Sequence, residues 1–132
     1  MPMFERLPAL ITILALLVYV WNFAMAGRAR EKFGVKAPAM TGHPLFECRL
    51  RVQQNMLEQL IVFLPALWLF SLTISPLIGA ALGLVFVIGR VIYSIGYYTA
   101  PEKRSTGFLI AGISTGILLI GATVGVVRTI MF

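Results

Sequence analysis

The sequence predicts an all-α integral membrane protein, a bundle of four membrane-crossing helices, and three observations predict it. Of its 132 residues 59% are hydrophobic and 12% charged, with no aspartate; an ordinary soluble domain is about 45–50% apolar and about 25% charged. The mean hydropathy is +0.92. The apolar residues also fall into four runs, each near the roughly 20 residues that a helix needs to cross a hydrocarbon core.

The first run, Leu7 to Ala26, carries no charge. It is too long for a signal-peptide core, lacks a basic region before it and is followed by arginines instead of a small-residue cleavage site, so it is expected to stay in the mature protein. The second, Met56 to Ile74, is interrupted only by Glu58 and Gln59; the third, Leu77 to Tyr98, holds the single charge Arg90; the fourth, Phe108 to Val127, has none. Gly27 and Gly34 after the first run, Ser75-Pro76 between the second and third, and Pro101 before the fourth supply helix-ending chemistry. The expectation is one transmembrane domain over residues 1–132, with helices at about 5–27, 45–73, 77–99 and 102–128. Gly107, Gly112, Gly116, Gly121 and Gly125 in the fourth run read as sites of close helix packing.

Eleven Lys and Arg against five Glu give a formal charge of +6. In a soluble chain that excess would suggest nucleic acid. Here its placement matters more, and no nucleic-acid partner is expected. Arg28, Arg30, Lys32, Lys36, Arg49 and Arg51 border the first connection and Arg90, Lys103 and Arg104 the third, leaving only Arg6 and Arg128 at the other end. An excess of positive charge marks the cytoplasmic side, which puts both termini and the turn from Ser71 to Leu77 outside. The compact length and the lack of a lysine-rich tail lean toward a bacterial inner membrane.

Several chemistries find no support. Cys48 is the single cysteine and His43 the single histidine; His43 has no Cys, Asp or second His at ligand spacing, so no metal site is expected. A phosphate-binding glycine loop, a nucleophile elbow and internal repeats are all absent from the sequence.

Polar groups in a membrane helix are costly and therefore informative. On the second helix Glu47, Arg51, Asn55 and Glu58, at intervals of four, four and three, fall on one stripe at about 100° per residue, while Gln53 points elsewhere. Arg90, Tyr93 and Tyr97 form a second stripe on the third helix, and Glu102, Lys103 and Arg104 follow just beyond it. Each residue alone has an ordinary reading: an ion pair aligning helices, an interfacial tyrosine, an inside-positive anchor. Their convergence at one depth points instead to a cationic, hydroxyl-lined pocket near the cytoplasmic face. Arginine forks bind carboxylates, a glutamate pairs with an amine, and amides and phenols satisfy peptide groups. Glutathione, an abundant peptide with two carboxylates and one amine, fits that inventory.

These residues resemble a known family, the membrane-associated proteins in eicosanoid and glutathione metabolism, and within it the branch of microsomal glutathione transferases and cysteinyl-leukotriene synthase. The resemblance runs from Arg28 through Thr41-Gly42 and Phe46-Glu47, Arg51-Val52-Gln53-Gln54-Asn55 to Glu58, Phe63-Leu64-Pro65, Arg90 to Tyr93, Gly96-Tyr97 and Arg104. It implies a homotrimer with three glutathione sites between neighbouring subunits. Arg51, Asn55, Glu58, Arg90, Tyr93 and Tyr97 would hold glutathione from one subunit, with Arg30 and Gln53 reaching in from the next. It further implies that Arg104 stabilises the thiolate, without acting as a proton acceptor, and that a hydrophobic electrophile or lipid hydroperoxide arrives from membrane lipid. Two positions depart from the leukotriene synthase pattern: Glu31 stands where a second arginine serves the lipid substrate, and Gln59 where a tyrosine is often found. Both favour a broad transferase or peroxidase over a dedicated eicosanoid enzyme. A non-catalytic scaffold binding lipid and glutathione is the alternative within the family. A small multidrug transporter shares the size and helix count but relies on a carboxylate in its first membrane helix, which Leu7 to Ala26 lacks.

Overall fold

The structure, a computed structural model, describes residues 2–132. Four helices make it up: α1 (Met3–Lys32), α2 (Pro44–Thr73), α3 (Pro76–Thr99) and α4 (Ser105–Met131), with a short 3-10 turn at Pro101–Arg104 before the last. All four are long and apolar enough to cross a membrane, and the described residues contain no strand. Such helices satisfy their own backbone groups, which lipid cannot do.

The helix ends follow from local chemistry. Pro44 and Pro76 stand in the first turns of α2 and α3, where a missing N–H costs nothing. His43 Nδ1 accepts from Leu45 N at 3.2 Å and Ser75 Oγ from Ile78 N at 3.2 Å, capping donors that the helices leave unpaired. The first helix departs from expectation. It passes through Gly27 and ends five residues later, before Gly34 at φ +67°. A glycine inside a helix costs only about 1 kcal/mol, and the extra turn buries Ala29 beside Val35 and Phe46.

Cross-helix contacts give the topology. Thr12, early in α1, accepts from Trp68 Nε1, late in α2, and Gly79 at the start of α3 meets Phe70 and Ser71 at the end of α2, so successive helices alternate in direction. Asn22 meets Ser94 and Tyr98, which makes α1 and α3 parallel. The start of α1 and the end of α4 therefore lie at the same end of the bundle, and the 33–43 connection shares the opposite end with the Pro101–Arg104 turn. The core runs along the bundle through Ile11, Ala15, Met56, Phe63, Leu67 and Leu118, with the Phe63 and Phe86 rings stacked at 3.7 Å. Outside, Leu17, Phe23, Ile61, Leu72, Ile88 and Ile120 are exposed, an apolar surface suited to lipid.

Only three of the five expected packing glycines in α4 pack. A β-carbon at Gly107 would meet the α3 backbone, and at Gly121 or Gly125 the side chains of Phe70 or Thr73, whereas Gly112 and Gly116 have nothing within 4 Å. At about 100° per residue positions 112 and 116 fall on the face opposite the packed one.

Candidate functional site

At the end carrying the two connections, α2, α3, the 3-10 turn and the start of α4 enclose a cleft of about 860 Å³. Arg51 and Asn55 enter it from α2, Tyr93 and Tyr97 from α3, Glu102 and Arg104 from the turn; Ser105, Phe108 and Leu109 of α4 complete the wall. Of the residues expected from the sequence, the fold thus gathers Arg51, Asn55, Tyr93, Tyr97 and Arg104. Helical spacing explains it: Arg51 and Asn55 are one turn apart, as are Tyr93 and Tyr97.

The aromatic floor is tightly built. The Tyr93 and Tyr97 rings meet edge-on at 5.7 Å, and Tyr93 also packs on Phe108 at 6.2 Å. The Arg104 guanidinium lies 5.5 Å from the Tyr97 ring centre, and its Nη1 donates to the Pro101 carbonyl at 2.8 Å. That bond fixes the head group and leaves other N–H donors of the fork for a ligand.

Arg90 does not line the cleft. It is 0% exposed, its guanidinium carbon 4.1 Å from the centre of the Tyr93 ring. Its Nε, Nη1 and Nη2 have no hydrogen-bond partner among the described residues, and neither does Asn55 Oδ1. A buried charge without hydrogen bonds is expensive, so the polar groups around this cleft are unfinished within the single chain.

Three expected residues stand apart from it. Arg30 donates through Nη1 to the carbonyls of Ala39 at 2.7 Å and Val35 at 3.4 Å, lies over the Phe46 ring, and borders a separate hollow with Glu31 and Lys36. Gln53 is half-buried and Glu58 exposed on α2, and neither lines the cleft. Glu47 accepts from Gly42 N at 3.4 Å and borders, with Cys48, a second hollow that shares Arg51 and Tyr97 with the main one. The described residues hold no cluster of metal-ligating side chains.

The sequence reading gave Glu102 a place beside the pocket but no role of its own, and it missed Asn22. Glu102 is the only carboxylate in the cleft wall; it sits in a turn, where helical periodicity gives no direction. Asn22, 0% exposed on α1, donates to Ser94 Oγ at 3.0 Å and Tyr98 Oη at 3.1 Å, and Ser94 donates to the Arg90 carbonyl at 2.9 Å. Arg49 covers the Tyr98 ring at 4.8 Å and Trp21 meets it edge-on. An asparagine in an otherwise charge-free apolar run was the available signal.

With Arg51 and Arg104 in its wall, Arg90 behind it and one carboxylate opposing them, the cleft suits a small polyanion that also carries a cationic group. Its Phe108 and Leu109 side admits an apolar molecule.

Comparison with known proteins finds several relatives. An uncharacterized protein of Synechocystis is 50% identical over 90% of this chain and 87% of its own length. Human microsomal glutathione S-transferase 2 is 37% identical over 86% of the chain and 78% of its own length. Leukotriene C4 synthase of Cavia porcellus is 31% identical over 89% and 78%. Residues 8–124 match the MAPEG family, and the chain belongs to that family.

Proposed function

We propose that this protein is a membrane glutathione transferase that activates glutathione as its thiolate for conjugation to hydrophobic electrophiles. The observation that carries the proposal is the gathering of Arg51, Asn55, Tyr93, Tyr97 and Arg104 from three separate segments around one cleft. The names of two relatives, a glutathione S-transferase and leukotriene C4 synthase, support the same reading. Arg51 and Asn55 would take the peptide's carboxylates and amide and the two phenols its remaining polar groups; Arg90, buried behind Tyr93, and Glu58, outside the cleft of its own chain, are proposed to join the site when glutathione and neighbouring subunits complete it.

Arg104 faces the thiol. The S–H bond gives up its proton, the thiolate attacks the electrophilic carbon, a C–S bond forms and the leaving group departs with its electron pair. Reduction of a lipid hydroperoxide to the alcohol and water, with two glutathiones oxidised to the disulfide, starts from the same thiolate and is proposed as a second activity. Arg30 and Gln53, outside the cleft of their own chain, fit the role of donors to a neighbour's site, and the proposed assembly is a homotrimer. It is proposed to lie in a bacterial inner membrane with both termini outside and the cleft near the cytoplasmic face, following its basic residues.

Protein purified in detergent is expected to conjugate glutathione to a chlorinated nitroaromatic acceptor, releasing chloride, and to reduce a lipid hydroperoxide in a parallel assay. Tight glutathione binding without turnover of either acceptor would overturn the enzymatic reading in favour of a scaffold.

Arg90 gives a separate test. Arg90→Met removes a buried charge that, among the described residues, makes no hydrogen bond and rests only on the Tyr93 ring, and keeps much of the apolar stem. It is expected to raise the Tm of the ligand-free protein, because a buried charge without hydrogen bonds is costly, while the glutathione-induced rise in Tm shrinks. Thermal unfolding with and without glutathione checks both signs; an unchanged ligand shift would remove Arg90 from the site.

A further inference from the structure

The activation just described leaves a proton without a destination. Arg51 and Arg104 are cations with no acceptor capacity, and Asn55, Ser105, Tyr93 and Tyr97 are neutral groups that accept a hydrogen bond without taking up the proton. Phe108 and Leu109 contribute nothing. Glu102 is the one remaining residue of the wall, and it can accept a proton.

Its situation suits the task. Glu102 is exposed, in the turn between α3 and α4, while its residue neighbour but one, Arg104, also lines the cleft. No hydrogen bond or ion pair occupies its carboxylate among the described residues, although two arginines share the cleft. Arg104 is instead held by the Pro101 carbonyl at 2.8 Å. The division of labour is physically sensible: a fixed cation stabilises the sulfur anion, and a free carboxylate at the mouth, open to water, accepts the proton and sheds it.

Resting on the proposed glutathione chemistry, we propose that Glu102 is the proton acceptor for the glutathione thiol, relaying the proton from the cleft to bulk water. In the first step the S–H bond breaks, its electron pair stays on sulfur and the proton joins a Glu102 carboxylate oxygen. In the second the carboxylic acid gives that proton to water, which restores the carboxylate. No oxidant or other reactant is needed.

Stopped-flow absorbance of the bound thiolate, on mixing the detergent-solubilised protein with glutathione in weak buffer, tests the proposal. Glu102→Gln keeps the size and hydrogen-bonding capacity but cannot take the proton. It is expected to slow thiolate formation about tenfold or more, within the range for general acid–base catalysis, while the final absorbance and the glutathione Kd stay as in the wild type. Added imidazole, a diffusible base, should restore the rate in Glu102→Gln and change the wild type little. Glu102→Asp should retain much of the rate. An unchanged rate in Glu102→Gln, or a loss confined to glutathione Kd, would overturn the assignment; the second result would make Glu102 a partner of the peptide's amine. Absence of any thiolate in the wild type is a different outcome, since it overturns the transferase reading itself.

Discussion

Arg104→Ala is expected to bind glutathione and leave it mostly as the thiol. A free thiol with a pKa near 8.5 is only a few per cent ionised at neutral pH. Lowering it by about two units takes about 2.7 kcal/mol of differential stabilisation and makes thiolate the main species. Arg104 is positioned to supply this, fixed by the Pro101 carbonyl and the Tyr97 ring. Its loss should reduce the thiolate fraction, and kcat with it, by about twentyfold at pH 7. The sign with pH is distinctive. The arginine depresses the thiol's pKa, so its benefit is largest below the free thiol's value and fades as pH rises past it; the variant should recover toward wild type in alkaline buffer. A pH series of bound-thiolate absorbance checks this. Equal thiolate in the two proteins across the series would refute the role.

The four helices were legible because transmembrane segments are written in single long apolar runs, each complete within itself. Periodicity then gave directions around each helix, which sufficed for Arg51 with Asn55 and Tyr93 with Tyr97. It says nothing about depth. Arg90 shares the face of the tyrosines yet is buried behind Tyr93, and Glu58, a turn beyond Asn55, stays outside the cleft. Residues in turns carry no period at all, which is why Glu102 drew no role. The extra turn of α1 was hidden for another reason. Gly27 signals an end locally, but burial of Ala29 beside Phe46 is a tertiary contact that no local signal reports.

The fold and the site depend on the same place, the crossing of α3 and α4, and Gly107 tests that dependence. A β-carbon there would lie 2.6 Å from Tyr93 Cα and 2.5 Å from the Gly89 carbonyl oxygen, and closer still to Tyr93 N. These are backbone atoms of a packed helix, so no side chain can swing aside. Gly107→Ala must therefore push the start of α4 away from α3. Overpacking of this kind costs about 1–3 kcal/mol. The larger effect should be on activity, because the displaced segment carries Arg104, Ser105 and Phe108, while the helix it leaves carries Tyr93 and Tyr97. A misplacement of about 1 Å can cost ~10²-fold in rate. Gly112→Ala is the matched control: the same chemical change on the same helix, with nothing within 4 Å of the added carbon. It should stabilise α4 by up to about 1 kcal/mol and leave turnover unchanged. Loss of turnover in Gly107→Ala at a temperature where both variants remain folded would tie the catalytic geometry to this one helix crossing. Equal behaviour of the two variants would show that the α3 and α4 contact does not set the positions of the arginine and the tyrosines.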